Sequence, residues 1–178
     1  MRIKKLSFKN NNTGWYIDDI MFNKLTLLVG ASGVGKTQIL RIVMGLQAIS
    51  HGQSKNGWSW NIEFEEQVNK YKWTGEYSCL LENYENDENS DFSSYAEPIS
   101  IVSEQVFVNE KLIVDRNESK ILFNNLETPK LDSTKSIISL LKEEKMISPI
   151  FNAWNRLNIM TLDDNSTKRI FTINPSSK

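Results

Sequence analysis

Gly30-Ala31-Ser32-Gly33-Val34-Gly35-Lys36-Thr37 has the spacing G-x-x-x-x-G-K-[ST] of a phosphate-binding loop. Glycines at 30, 33 and 35 permit positive φ and let backbone N–H groups close around phosphate oxygens without side chains in the way. Lys36 is placed to reach β- and γ-phosphates. The Thr37 hydroxyl offers an oxygen to Mg²⁺, a hard cation that prefers oxygen ligands. The binding stretch so drawn comprises Gly30, Ala31, Ser32, Gly33, Val34, Gly35, Lys36, Thr37 and Gln38, and the ligand it implies is a nucleoside triphosphate, ATP, with Mg²⁺. Average residue usage places the four fixed positions together by chance in roughly one chain in a hundred of this length, or fewer. A glycine turn that binds nothing would also have to explain a lysine and a threonine in the two chemically demanding places. The loop reads phosphates and not the base, so adenine and guanine both remain open.

A phosphate loop needs a strand to deliver it and a helix to receive it. Leu25, Leu27, Leu28 and Val29 read as the strand, and Ile39, Leu40, Ile42, Val43 and Leu46 recur at helical spacing beyond the loop. That helix would point its N-terminal partial positive charge at the anion. Two further strands are expected first, RIKKLSFK over 2–9 and WYIDDIMF over 15–22, separated by a polar turn ending at Gly14. Trp15 and Tyr16 offer a stacking face to a base, although an aromatic in a strand more commonly belongs to the core.

Downstream, Trp58 to Glu65 alternates with period two, and Tyr71, Trp73, Gly75 and Tyr77 alternate again, which predicts an antiparallel hairpin with an aromatic face. A half-buried sheet requires that spacing, so the aromatics read as core in preference to a platform for single-stranded nucleic acid served by Lys70 and Lys72. Glu82 to Pro98 is acidic and lacks both an apolar period and the glycine a calcium loop needs, so it reads as a solvated loop. Ile99 to Val108 and Lys111 to Arg116 form a second alternating pair around Asn109-Glu110, which Lys120 to Phe123 extends. Leu131-Asp132-Ser133-Thr134 reads as the cap of a helix bearing Ile137, Ile138, Leu140 and Leu141, and Ser148-Pro149 as the start of a second with Ile150, Phe151, Trp154 and Leu157. Lys168 to Asn174 is a last strand candidate.

The chain's 178 residues suit one domain, and a formal charge of -1, from Lys+Arg 21 against Asp+Glu 22, provides no global field for nucleic acid or anionic membrane. Nucleic acid stays open as a partner through a local basic face. No apolar run is long enough to span a bilayer, and the one cysteine cannot close an internal disulfide, so a cytoplasmic protein is expected. Cys79, beside Leu80 and Leu81, reads as a small core residue. His51, the only histidine, reads as a helix C-terminal cap.

The order MRIKKLSFKN, WYIDDIMF and LTLLVGASGVGKTQILRIVMGL, followed by antiparallel strands, resembles the ABC-type ATPase heads of the SMC/RecF group, filed among the AAA-type ATPases of bacterial defence modules. SEQVFVNEKLIVDR and the helical stretches STKSIISLL and SPIFNAWNRL resemble the same set by pattern. The resemblance implies an α/β phosphate-loop NTPase fold of ABC-ATPase type, represented here by its N-terminal lobe over 1–178, with an antiparallel β insertion and a small helical part. Within it lie a phosphate-loop core (1–50), a hairpin (57–81), an acidic loop (82–98), a second hairpin (99–126) and a helical pair (132–160). It carries the loop roles onto Lys36 and Thr37, and it implies a glutamine that senses the γ-phosphate and metal, for which Gln105 stands in the right region beside a competing Glu104.

The resemblance further implies ATP hydrolysis in head-to-head dimers and, as in Septu and retron-associated systems, an effector partner such as a nuclease. The sequence departs from the family in two ways. It has no LSGGQ-like signature, and neither Leu112-Ile113-Val114-Asp115 nor Ile159 to Asp164 follows one, so both read as ordinary apolar strands ending in acid. These residues are therefore expected to grip ATP and to hydrolyse it poorly unless a second lobe completes them. Two other readings stay open. One is a small-molecule kinase, against which Arg2, Arg41, Arg116, Arg156 and Arg169 count because they are scattered with no lid-like cluster; the other is a non-catalytic module stabilised by nucleotide.

Overall fold

A computed structural model describes residues 1–29, 31, 35–80 and 98–158. Eight strands form one open sheet: β1 (Arg2–Asn10), β2 (Tyr16–Met21), β3 (Trp58–Glu66), β4 (Asn69–Tyr77), β5 (Ile101–Val108), β6 (Lys111–Asn117), β7 (Ile121–Phe123) and β8 (Leu126–Glu127). Their order is β2-β1-β3-β4-β5-β6-β7-β8, and every neighbouring pair is antiparallel. Among the described residues three helices accompany the sheet, α1 (Lys36–Ser50), α2 (Ile137–Leu140) and α3 (Ser148–Asn155).

This corrects the α/β phosphate-loop fold of ABC type expected from the sequence, because the molecule is mostly an open antiparallel sheet with few helices. Parallel pairing requires a crossover that sets the next strand beside the last. Helix α1 could serve as that crossover, but β3 after it joins β1 in antiparallel register, Leu6 opposite Ile62 and Phe8 opposite Trp60. Residues 24–29 belong to no strand of the sheet. Short turns then propagate antiparallel pairing, as at Asn109-Glu110, where φ of 48° and 69° gives the left-handed pair that a tight hairpin favours.

Alternation sorts the side chains onto two faces. Trp60, Ile62, Phe64, Tyr71, Trp73, Tyr77 and Val106 are buried on one face, where Ile42, Val43, Leu46 and Ile49 of α1 and Ile150 and Trp154 of α3 join the same cluster. The other face is a ladder of opposite charges, Glu63 against Lys72 and Glu65 against Lys70. The expected aromatic hairpin is present and its rings are core. Trp73 meets Trp60 at 5.1 Å and Trp154 at 5.6 Å, both edge to face, and such pairs are worth about 0.5–1.5 kcal/mol each beyond their burial. Gly75 lies beneath Trp60, where an added Cβ would come within 2.4 Å of the indole.

Several local expectations change. Ser136 caps α2, its Oγ accepting from Ile138 N at 3.1 Å, whereas Asp132 closes a turn by accepting from Thr134 N at 2.9 Å. Ser148 is the first residue of α3 and Ile147 its N-cap, so the serine supplies no capping bond. Cys79 is exposed instead of core, because the chain has left the sheet at Tyr77; its Sγ donates to Asn12 Oδ1. His51 is the C-cap of α1, with its Nδ1 2.7 Å from the Gln47 carbonyl. The acidic stretch 82–97, Ile159 to Asp164 and the strand candidate 168–174 lie outside the described residues. Among the described residues no helix is long and apolar enough to cross a membrane.

Candidate nucleotide site

The candidate site stands at the N-terminus of α1. Gly35 is the N-cap at φ 94° and ψ 5°, a conformation that costs a residue with a Cβ but not glycine. Its carbonyl accepts from Gln38 N at 3.0 Å and Ile39 N at 3.3 Å, which closes the first turn. Having no side chain, Gly35 offers no capping oxygen to the helix. The first turn also lacks an acid, and from Ile20 to Ile62 the sequence contains no Asp or Glu, only the cations Lys24, Lys36, Arg41 and Lys55. An approaching anion therefore meets partial and full positive charge from this stretch.

Lys36 reaches back across the turn, its Nζ donating to the Ala31 carbonyl at 2.5 Å. Thr37 and Gln38 are exposed at the first turn. Of the nine residues named from the sequence, Ala31, Gly35, Lys36, Thr37 and Gln38 are brought together here, and Gly30, Ser32, Gly33 and Val34 lie outside the described residues. Among the described residues no three acidic, histidine or cysteine side chains cluster as a metal cage. A single threonine hydroxyl fits Mg²⁺, which keeps several waters and takes other oxygens from the phosphates it accompanies.

Gln105 is placed elsewhere. It pairs with Thr74 and with Asp115 across the sheet, and its Nε2 donates to Asp115 Oδ1 at 2.9 Å on the charged face. Its neighbour Glu104 faces the side that packs the helices, so Gln105 points to the opposite face of the sheet. The same pairing binds Asp115 into the sheet's polar ladder.

Glu104 is fully buried. It accepts from Trp73 Nε1 at 2.9 Å, Ser136 Oγ at 2.5 Å and Ile137 N at 2.9 Å, and Arg116 Nη1 lies 3.6 Å away. Arg116 also donates to the carbonyls of Lys135 and Asp132 at 2.8 and 2.9 Å. Burial pushes the Glu104 carboxyl above its usual range, and the hydrogen bonds from Ser136, Ile137 and Trp73 oppose that rise. With its partners satisfied, this cluster fastens the 132–137 segment to the sheet. A signal for it exists in the sequence, since Glu104 and Arg116 are opposite charges that fall in register on β5 and β6.

Among the described residues, Trp15 approaches Gly35. The Cζ2 of Trp15 lies 3.7 Å from where a Cβ on Gly35 would stand. Behind Trp15 stands Phe8 at 6.0 Å, and behind Phe8 stands Trp58 at 4.8 Å, edge to face. Trp58 in turn covers Gly45 of α1, where an added Cβ would come within 2.2 Å of the ring. Tyr16 pairs with Lys9 on the opposite face of the sheet, so only one of the two aromatics named from the sequence reaches the site.

Compared with protein-family models and with curated proteins, the chain matches none.

Proposed function

We propose that the chain binds a Mg²⁺-complexed nucleoside triphosphate, ATP, at the N-terminus of α1, and that it acts as a nucleotide-sensing component and not as a self-sufficient hydrolase. The observation that carries this is Lys36 reaching across the turn to Ala31 O, beside a glycine N-cap and the exposed Thr37. A phosphate in the loop competes with that carbonyl for the ammonium and gains a charge-assisted bond. The acid-free run from Ile20 to Ile62 supports an anionic ligand. Sensing without cutting is supported by Gln105 and Asp115 binding each other on the far face. The resemblance to ATPase heads of defence modules supports a second copy and an effector such as a nuclease as the partners that read the nucleotide state.

Thermal unfolding with and without Mg²⁺-ATP tests the binding. At a ligand concentration about 100 times the Kd the wild type should gain about 2.7 kcal/mol, equivalent to about 5–10 °C for a chain of this size. Lys36→Ala should gain nothing; an equal gain in both would overturn the assignment.

A further inference from the structure

We infer that Gln47 couples the two helices α1 and α3, so that a ligand at the N-terminus of α1 tightens the last turn of α3. The inference rests on the proposed nucleotide reading and adds to it the element that reports occupancy. Helix α1 has two unlike halves. Its first turn has no side-chain cap, and Thr37, Gln38, Leu40 and Arg41 are exposed, whereas Ile42, Val43, Leu46 and Ile49 pack its second half into the core. Gln47 stands on that packed half, about 16 Å along the axis from Lys36. Both hydrogens of its amide go to α3: Nε2 donates to the Trp154 carbonyl at 2.8 Å and to the Leu157 carbonyl at 2.9 Å. A helix C-terminus leaves such carbonyls short of intrahelical donors, so one helix here supplies the cap of the other. His51 adds a second contact, its Nε2 3.3 Å from Asn155 Oδ1 and its ring 5.2 Å from that of Phe151.

The rest of α3 is fastened to the sheet without α1. Trp154 meets Trp73 and Phe64 edge to face, and Arg156 donates to Glu66 at 2.6 Å. Opening of α1 therefore uncaps the end of α3 and leaves its body in place. A ligand that binds only the closed α1 makes that opening rarer, and the amides at the uncapped end share the protection. Those amides are Arg156 N, on the Asn152 carbonyl, and Leu157 N, on the Trp154 carbonyl. The coupling needs no displacement of α3, only a change in how often its last turn opens.

Amide hydrogen exchange on the full chain, with and without Mg²⁺-ATP, tests this in wild type, Gln47→Met and His51→Ala. Gln47→Met keeps the length of the side chain and removes its donors. His51 and Asn155 are both exposed, so His51→Ala provides a readout that does not depend on the folding of the first variant. At a ligand concentration about 100 times the Kd, exchange that requires α1 to open slows by up to about a hundredfold. In wild type the α1 amides should approach that limit and Arg156 and Leu157 should slow about tenfold or more. In Gln47→Met the α1 amides should still slow, while Arg156 and Leu157 change less than about twofold; His51→Ala should fall between. If Arg156 and Leu157 gain equal protection in wild type and both variants, or gain none in wild type while α1 is protected, the coupling is wrong and the nucleotide site stands. Absence of protection at α1 in wild type would remove the site and the coupling together.

Discussion

The sheet around Glu104 and the segment leading into α1 are both rich in apolar residues, and they meet opposite fates. Trp73, Phe64, Ile62 and Trp154 are buried to within 1% of complete coverage, and the carboxylate among them has partners on every side. Leu25, Leu27 and Val29 are 90%, 81% and 80% exposed, and Leu40 and Met44 of α1 also face solvent. In the first region each strand has a paired neighbour, whether the two are joined by a short turn, as β3–β4 and β5–β6 are, or by a long connection, as between Tyr77 and Ile101. In the second, the described residues supply residues 24–29 with no strand to pair with. Stability therefore resides in the sheet and its helices, and the proposed ligand site lies at the margin where the packing stops.

The largest expected effect breaks the first region alone. Glu104→Ala strands Arg116 and leaves the Trp73 Nε1 and Ile137 N donors without their acceptor, which should cost about 3–5 kcal/mol in urea unfolding while leaving ATP affinity per folded molecule unchanged. A parallel loss of affinity would show that the two regions are coupled. The same residue makes a pH prediction. A carboxyl raised on folding binds its proton more tightly in the native state, so stability falls as pH climbs past the unfolded value of about 4.3 and levels off above the raised folded value. Glu104→Gln should flatten that part of the profile, and an unchanged slope would assign it to another group.

Gly75→Ala should be intermediate. Its methyl would press on the Trp60 ring, and overpacking of that kind costs about 1–3 kcal/mol, again without touching ATP binding. The smallest effect should come from Leu27→Lys. Although it charges an apolar strand-like residue, the side chain is exposed, so unfolding should shift by no more than about 0.5 kcal/mol. A loss of several kcal/mol would mean that Leu27 is covered in solution.

How far the sequence could be read follows the same division. The hairpin at 58–77 was legible because period-two aromatics state both the strand and the buried face, and Gln105 could have been placed by the same parity, since Val106 beside it is core. The fold class was not legible from LTLLV, because strand propensity is local and pairing depends on what lies beside it. The α2 cap was misplaced because Asp132-Ser133-Thr134 looks like a start signal, and only the long-range bonds from Ser136 and Ile137 to Glu104 decide otherwise. The loop residues were named from spacing alone, and five of the nine are among the described residues. Their aromatic neighbour needed the structure, which separates Trp15 from Tyr16 by the face of the sheet each occupies.

Calorimetric titration of Mg²⁺-ATP into wild type and Lys36→Ala tests the central claim most directly. Lys36 is the half-buried first residue of α1 and no part of the sheet core, so its removal leaves that core intact. The predicted result is one saturable site in the wild type and binding weaker by about a hundredfold or more in the variant. Equal affinity in the two proteins, or no binding by the wild type, would contradict it.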